Sequence, residues 1–491
     1  MTLRDVALAA SFTIVAGCTS LQPAYERPAS PVAAQWHPTA AATGQPAIAD
    51  IPWETFIADP ALRELVSTAL SNNRDLRIAA LNIEKARAQY DIQRSEGVPQ
   101  VDLGAGGTAQ RTPASVSTTG NKIVSHAYTA SVGVSAYELD LFGRVRSLRD
   151  EALQQYLATE EARRSTHLSL VAAVITAYLN WTADAEQVRL SEDTVDTRKR
   201  SYELQRKLQG VGSATRLSVR QAEGELDAAR AQALVAHATV ATDRNALELL
   251  LGHPLAADAK PAASIDQVLA AQVVPTGLSS DVLLQRPDIL ASEHALIGAN
   301  ADIGAARAAF FPSITLTGSA GLASDALSSL FKGPNVAWSF APRLNLPIFT
   351  GGRLRAALEV AQVNRDIAVA DYERDIQAAF REVADGLALM DSLDQQLQVA
   401  RRRVDTATEA HAMVEQRYRA GVATYLEVLD AQRTLLSTRD ALIGVRLSRQ
   451  ANLVTLYKAL GGGWTQADAD RARSATSSAA PGASPKPTDP S

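Results

Sequence analysis

Two parts of this chain carry the same pattern of glycine, threonine and leucine at one constant offset. The pattern lies in residues 208–219 and returns in residues 417–428. The matched pairs are Gly212 and Gly421, Thr215 and Thr424, and Leu217 and Leu426. A repeat of this size indicates one supersecondary unit that occurs twice. We therefore expect two related halves, at residues 59–252 and 281–464, joined by a linker at 253–280.

Each half contains a very long stretch with the hydrophobic spacing of a helix. From Arg353 to about Arg419, apolar residues recur mostly every three or four positions, with no proline and with Gly386 as the one interior glycine. Residues 144–208 have the matching pattern. A helix of this length would extend on the order of 100 Å at ~1.5 Å per residue, which exceeds any compact domain. Such helices are expected to be stable only in an assembly that packs like a coiled coil.

Turns that contain glycine are predicted where the two long helices end. Gly212 and Gly421 each precede a second helical stretch, which ends at Leu251 in the first half and at Leu460 in the second. Glycine suits such turns because it adopts positive φ without steric cost. Each half is therefore expected to contain a helical hairpin.

Four other stretches alternate apolar and polar residues, as β-strands with two different faces do. They lie at residues 101–105, 128–136, 314–321 and 336–348. The alternation is typical of a transmembrane barrel and equally of a soluble sheet with one face in water. The position of these stretches in the chain favours the barrel. Four strands cannot close a barrel in lipid, where every backbone polar group must be paired, so three copies would supply twelve strands. The polar stretches Pro113–Ser125 and Ser324–Asn335 are predicted to connect strands outside the cell.

The first residues predict an exported protein with a lipid anchor. An apolar run from Val6 to Ala16 has the length of a secretory signal and is too short to span a bilayer. The run leads into Val15-Ala16-Gly17-Cys18, which resembles the cleavage motif of lipoproteins. Residues 1–17 are therefore expected to be removed, and Cys18, the one cysteine in the chain, to carry a covalent lipid. Thr19 stands where aspartate usually signals retention in the inner membrane, so an outer-membrane destination is expected.

Two further segments flank the two halves. Residues 18–58 contain six prolines and are expected to form an extended tether from the lipid. Residues 465–491 are rich in alanine, serine and proline and are expected to be disordered.

Composition and motifs argue against nucleic-acid binding and against catalysis. The formal net charge is −5, so the chain lacks the basic surplus that neutralises phosphates. Its seven histidines have no metal-ligand spacing. Sequence patterns of serine hydrolases, phosphate-binding loops and dinucleotide sites do not occur. We expect no enzyme, no metal site and no cofactor other than the lipid on Cys18.

Several spaced motifs together cover nearly all of the chain after Cys18. They are Pro-Ala-Tyr-Glu-Arg-Pro at 23–28, Asn-Asn-Arg-Asp-Leu at 72–76, Glu-Leu-Asp-Leu-Phe-Gly-Arg at 138–144, the stretch from Arg286-Pro-Asp-Ile to Ala-Ala-Phe-Phe-Pro312, and residues 421–432. In this combination the chain resembles the outer membrane factor lipoproteins of tripartite resistance-nodulation-division efflux pumps, a branch of the TolC family. Two positions depart from the family pattern, Gln285 in place of arginine and Ser279 in place of proline.

The resemblance implies an α+β membrane protein that forms a homotrimer. Each chain would contribute four strands to a shared twelve-stranded transmembrane β-barrel, and its long coiled-coil helices would form a periplasmic α-barrel. The termini and the segment around 253–283 would form an equatorial belt. The implied function is the exit duct of an efflux pump in the cell outer membrane, which passes drugs or other small toxic molecules from the periplasm to the exterior. The implied partners are a periplasmic adaptor, an inner-membrane transporter and outer-membrane lipid.

The ends of the hairpins are the predicted gate. Helices that converge there bring each side chain close to its symmetry mates, so three leucines or three carboxylates can narrow the opening. Leu426 and Asp430 occupy this position, and in similar proteins the leucine and the aspartate of this stretch form constricting rings. Tyr418 resembles a tyrosine that latches neighbouring helices. Leu426 in ordinary seam packing and Asp430 at a solvated helix position are the competing interpretations.

Two further predictions concern the hairpin ends. The basic residue that the family carries just after the turn glycine is absent because Ala423 stands there, and Arg216, Arg417 or Arg419 could substitute. The tips at 209–219 and 418–430 are the predicted docking surface for the adaptor, around the turn residues Gly212, Thr215, Leu217, Gly421 and Thr424.

Two other functions remain alternatives at this stage. A duct for type I protein secretion would have the same fold and a different inner-membrane partner. A periplasmic coiled-coil scaffold that forms no channel would retain the helices, although the alternating strands disfavour it.

Overall fold

The computed structural model describes residues 20–36, 51–270 and 279–462. The predicted signal peptide, Cys18 and the predicted tail lie outside these residues. The helices are α1 (Trp53–Phe56), α2 (Pro60–Asn72), α3 (Arg74–Ser95), α4 (Arg144–Gly210), α5 (Arg216–Leu251), α6 (Pro287–Ala308), α7 (Arg353–Arg419) and α8 (Tyr425–Ala459). The strands are β1 (Val101–Thr112), β2 (Ile123–Leu139), β3 (Ser313–Ser324) and β4 (Val336–Asn345).

The long helices begin and end close to where the apolar spacing predicts. Helix α7 ends at Arg419, as predicted, and α4 ends at Gly210, slightly beyond the predicted Leu208. Helix α5 is capped by Gly252, which has a positive φ of 64°, and α8 ends at Ala459, followed by Leu460 and by Gly461 with a positive φ of 93°. Glycine terminates a helix at such a position because other residues adopt this conformation only with strain.

Buried positions along α7 follow a seven-residue repeat. They are spaced alternately by three and four residues at Ile376, Ala379, Val383, Gly386, Met390, Leu393, Leu397 and Ala400. A mean spacing of ~3.5 residues keeps one stripe facing a partner only when helices wind around each other in a left-handed sense. Helix α7 therefore has the burial pattern of a coiled-coil helix.

Gly386 is a position in this stripe where the partner helix leaves no room for a side chain. A Cβ atom at Gly386 would lie 2.5 Å from Cδ2 of Leu456 in α8. The Asn452 amide of α8 also donates a hydrogen bond to the Gly386 carbonyl, at 2.8 Å. The interior glycine of α7 thus permits a close crossing of α7 and α8.

Gly386→Ala is expected to lower the melting temperature because Leu456 would have to move away. Gly444→Ala in α8 is the matched control, since a Cβ atom there meets nothing within 4 Å. The control should stabilise its helix by about 0.5–1 kcal/mol, because alanine has the higher helix propensity. Thermal unfolding followed by circular dichroism measures both variants. Melting shifts of the same sign and size would contradict the tight contact with Leu456.

The described chain forms two compact units. One unit comprises Leu81–Glu161 and Leu290–Arg374 together with the N-terminal residues up to Ala29, and it contains the sheet. The other comprises Ser30–Ala80, Ala162–Ile289 and the residues from Asp375 onward, and it contains both hairpin turns.

One described helix, α4, includes a segment long and apolar enough to cross a membrane by length and composition. Of that segment, 61% is buried. Val174, Ile175 and Leu179 are fully buried in the helical unit, and the Tyr178 hydroxyl donates a hydrogen bond to the Asp59 carboxylate at 2.6 Å. These contacts are those of a core helix.

The four strands form an antiparallel sheet in the order β1-β2-β3-β4. Directly paired residues share a face, so the register sorts the side chains into rows. The apolar rows are Leu103, Val132, Ala320 and Trp338; Val101, Val134, Gly318 and Phe340; and Ala105, Ala130, Leu322 and Val336. Rows on the other face are Asp102, Gly133, Ser319 and Ser339; and Gly104, Ser131, Gly321 and Ala337. Within the described chain, β1 and β4 each have one unpaired edge.

The strands depart from the predicted alternation at three points. Strand β2 begins at Ile123, inside the stretch predicted as a loop. The pairing of β2 with β3 breaks between Val134 and Tyr137, and Ala136 has a positive φ of 54°, so the predicted alternation through Ala136 is wrong. This bulge adds one residue and returns Tyr137 to the apolar face. Strand β4 ends at Asn345 rather than 348, because Asn345 pairs with Ser313, the first residue of β3, and the partner strand extends no further.

The Arg286-Pro-Asp-Ile motif connects three elements of the helical unit. Arg286 is 6% exposed. Its guanidinium donates to both carboxylate oxygens of Asp288, to Glu382 of α7 at 3.1 Å and to the Ala459 carbonyl at 2.7 Å. The last bond satisfies a carbonyl at the C-terminal end of α8. The neighbouring Gln285, a departure from the family pattern, is exposed.

Candidate gate at the ends of the helical hairpins

The two hairpin turns have the same backbone geometry. Gly212 has φ 77° and Gly421 has φ 78°. The Ser213 N–H donates to the Leu208 carbonyl at 2.8 Å in the first turn, and the Val422 N–H donates to the Arg417 carbonyl at 2.9 Å in the second. Both bonds close the end of a helix around a glycine in the left-handed conformation. The predicted positive φ at both glycines is confirmed.

Threonine begins the second helix of each hairpin. The Thr215 hydroxyl accepts a hydrogen bond from the Ser218 N–H at 3.1 Å. The Thr424 hydroxyl accepts from the Glu427 N–H at 3.3 Å, and the Glu427 carboxylate accepts from the Thr424 N–H at 2.9 Å. This reciprocal pair is a capping box. Hydrogen bonds from the Thr424 backbone and then from its side chain lower the pKa of Glu427.

The predicted gate residues lie on the surface of the single chain. Leu426 is 64% exposed, and Asp430 is also exposed. Leu217 in the matching position of the first hairpin is 67% exposed. Within the part of the chain that the structure describes, the Asp430 side chain forms no salt bridge. Both gate side chains are therefore available to other copies of the chain.

Tyr418 connects the two hairpins inside one chain. Its hydroxyl accepts a hydrogen bond from the Gln205 amide of α4 at 2.6 Å, and Gln205 is 1% exposed. Its ring lies 6.1 Å from that of Tyr425, measured between ring centroids. The Tyr425 hydroxyl is 3.0 Å from the Ser201 hydroxyl of α4, and burial is the main cause of the raised pKa of Tyr425. The two tyrosines thus join the second hairpin to α4.

Among the described residues, the three arginines considered from the sequence form no salt bridge from one hairpin to the other. Arg417 is 3.9 Å from Glu427, and Arg419 is 2.5 Å from Glu415, so both pair within the second hairpin. Arg216 is exposed.

One arginine that does join the hairpins near their ends was missed by sequence reasoning. Arg433 of α8 donates to the carboxylate of Glu225 in α5, and this hydrogen bond is the main cause of its raised pKa. The sequence feature that could have revealed Arg433 is its position three residues after the predicted gate residue Asp430, since residues three apart on a helix share a face.

Metal chemistry has no support in residues 20–36, 51–270 and 279–462. No group of three or more histidine, cysteine, aspartate or glutamate side chains there could hold a metal ion. The polar groups at the hairpin ends instead form contacts between helices. The described hairpin ends thus combine hydrogen bonds between helices with the exposed side chains of Leu426 and Asp430.

Comparisons with known proteins agree with this geometry. The sequence model of the family described as outer membrane efflux protein matches residues 65–253 and 278–462. The chain is 48% identical over 470 residues to the toluene efflux pump outer membrane protein TtgC of Pseudomonas putida, an alignment that covers 94% of this chain and 96% of that protein. It is 45% identical over 467 residues to the outer membrane protein OprJ of Pseudomonas aeruginosa, which covers 94% of this chain and 98% of that protein.

Solved structures of outer-membrane channels have the same fold. The open state of the Neisseria gonorrhoeae MtrE outer membrane channel superposes with a TM-score of 0.83 at 40% identity and covers 91% of this chain and 98% of that one. The Campylobacter jejuni CmeC outer membrane channel superposes with a TM-score of 0.84 at 26% identity and covers 93% of this chain and 98% of that one. With the family model matched over both halves and close relatives matched over nearly their full length, the chain belongs to the outer membrane efflux protein family.

Proposed function

We propose that this chain is the outer-membrane duct of a tripartite efflux pump and passes drugs or other small toxic molecules from the periplasm to the exterior. The observation that most strongly supports this function is the sheet, which has one continuous apolar face and two unpaired edges, on β1 and β4. An open sheet edge cannot remain in lipid, because its N–H and C=O groups would have no partner. Pairing β1 of one copy with β4 of the next satisfies both edges.

Three copies close this pairing into a twelve-stranded barrel. The apolar rows, which include Leu103 at 82% exposed and Trp338 at 77% exposed in the single chain, face the lipid. The rows of serine, glycine and aspartate face a watery lumen, as in other transmembrane barrels. The exposed apolar residues of the helices, such as Leu234 and Leu249 of α5, then become contacts between copies in a periplasmic α-barrel.

The two halves are proposed to be structural repeats at residues 59–252 and 281–464, with 253–280 as the equatorial linker. The two separate matches of the family model support this division, as do the equal hairpin turns at Gly212 and Gly421. In this proposal the chain has no catalytic residue and takes its energy from an inner-membrane transporter through a periplasmic adaptor. The adaptor contacts the tips at 209–219 and 418–430, where Val211 and Val422 are 75% and 69% exposed.

The lipid anchor on Cys18 is supported by the path of the residues that follow it. The Arg27 guanidinium binds the Glu293 carboxylate of α6 through two bonds, at 2.7 and 2.8 Å. Ser20 lies against Gly143, where its Cα would be 3.1 Å from an added Cβ. Gly143 stands between β2 and α4, so Ser20, the first described residue, lies beside the strand ends, which is the level of the membrane surface in this proposal.

The function is tested on the purified full chain in a planar lipid bilayer. We expect a particle of three chains, measured by native mass spectrometry in detergent, and small, mostly closed single-channel currents. Boiled protein, which has lost its assembly, is the control and should give none. A trimer of verified mass that carries no current under any voltage would favour the scaffold function and reject the duct.

A further inference from the structure

Near the turns, polar side chains form contacts across the seam, which is the surface where the two hairpins meet. Arg198, Ser201 and Gln205 of α4 are spaced by three and four residues and so share one face of the helix. Ser201 and Gln205 contact the hydroxyls of Tyr425 and Tyr418. Polar contacts of this kind exchange for water at little net cost, whereas an apolar seam does not. If the hairpins separated at this end of the molecule, water could replace these contacts.

Glu225 of α5 is the point in this seam where charges from three helices meet. One carboxylate oxygen accepts a hydrogen bond from Arg433 of α8, and the other lies 3.6 Å from the Arg198 guanidinium of α4. Arg198 is 4% exposed, and it also donates to Gln432 of α8. Burial is the main cause of the lowered pKa of Arg198, and the charge of Glu225 opposes that shift. A buried guanidinium without a carboxylate is strongly unfavourable, so the three groups hold together.

Water has access to this cluster. A cavity of about 370 Å³ borders Arg198, Glu225 and Arg433, and hydroxyl-bearing side chains such as Ser191 and Ser437 also line it. Separated charges would therefore be hydrated as the helices move apart, which lowers the cost of opening.

Arg433 links this cluster to the predicted gate. It follows Asp430 by three residues on α8, so both side chains project from one face. The charge of Asp430 contributes to the raised pKa of Arg433, although less than the hydrogen bond with Glu225 does. A movement of Arg433 away from Glu225 would therefore displace the helix segment that carries Leu426 and Asp430.

We propose that Glu225 is a positioning residue of the gate, which through Arg433 holds α8 against the α4–α5 hairpin and keeps the opening narrow. This inference rests on the proposed function as a duct. Glu223 supplies a matched control on the same helix. It pairs at 2.5 Å with Arg220 of α5 itself, so removal of its charge breaks no contact between hairpins.

The test compares single-channel recordings of the full chain with Glu225→Gln, Glu223→Gln and Asp430→Ala. Glu225→Gln should raise the open probability about 5- to 30-fold, the range expected when one partly buried charged contact is lost. Glu223→Gln should match the wild type. In the double variant with Arg433→Gln, the second change should add little, because both variants break the same contact.

The outcomes separate the two proposals. Asp430→Ala currents that rise while Glu225→Gln currents stay at the wild-type level would reject the positioning role and leave the duct intact. Absence of current from every variant, with trimers of the correct mass, would reject the duct and the inference with it. If Glu225→Gln yields no trimer, Arg433→Gln replaces it, since it removes the same contact and leaves the Glu225 carboxylate beside Arg198. An Arg433→Gln trimer with wild-type gating would equally overturn the inference.

Discussion

Phe340→Arg is expected to eliminate the assembled trimer from the outer membrane, whereas Ser339→Arg should leave most of it in place. Phe340 lies in the apolar row with Val101, Val134 and Gly318 and is 62% exposed in the single chain. It occupies the middle of β4, so its side chain meets the centre of the bilayer in the proposed barrel. Arginine there costs about 2–4 kcal/mol per chain. Because each of the three chains in one trimer would carry the substitution, the assembly would bear this cost three times.

Ser339 is the matched control because the adjacent strand position faces the opposite side. Its hydroxyl is 2.9 Å from that of Ser319, so arginine there loses one exposed hydrogen bond, worth about 0.5–1.5 kcal/mol. Membrane fractionation followed by semi-native gel electrophoresis measures the trimer for both variants. Equal losses in the two variants would contradict the assignment of the apolar rows to lipid.

Asp430→Ala is expected to raise the mean single-channel current several-fold. In the proposed trimer, three Asp430 carboxylates meet near the axis together with three Leu426 side chains, and such a ring narrows the opening. Alanine removes both the bulk and the charge. The same variant should weaken the preference for cations, because a ring of carboxylates attracts them. A salt gradient across the bilayer measures that preference as a reversal potential.

The control for this variant is Asp405→Ala in α7. Asp405 is also exposed, but it lies more than four helical turns from Gly421, so its removal should alter neither current nor reversal potential. A rise in both variants would indicate a general effect of lost negative charge. An unchanged Asp430→Ala variant beside a conducting wild type would place the constriction elsewhere.

The sequence was sufficient for those parts of the fold that depend on local periodicity. The ends of α7 at Arg353 and Arg419 follow from uninterrupted spacing and from the glycines around them, and the turn at Gly421 follows from the conformational freedom of glycine. The bulge at Ala136 could not be predicted this way. It is fixed by the pairing of β2 with β3, which lie far apart in the chain, and alternation within one strand carries no information about a distant partner.

The candidate gate, like the fold, could be predicted from the sequence only in part. The positions of Leu426 and Asp430 near the turn followed from the repeat and from the family resemblance, and their role as a gate is still a prediction. The contacts of Glu225 with Arg198 and Arg433 depend on how three helices pack. Other glutamates on these helices have a similar local context, as the half-buried Glu223 shows. Only the three-dimensional arrangement distinguishes one from another.

The polar face of the sheet consists largely of small side chains. Rows such as Gly104, Ser131, Gly321 and Ala337 carry no aromatic ring and no long side chain. Charged side chains are few on this face: Asp102 is in one such row, and Glu138 and Arg343 flank Thr315 in another. A surface made mostly of small side chains has little basis for telling one uncharged solute from another, since selectivity requires specific contacts that a competing solute lacks. For uncharged compounds, the range of exported molecules would therefore be decided before they reach this chain.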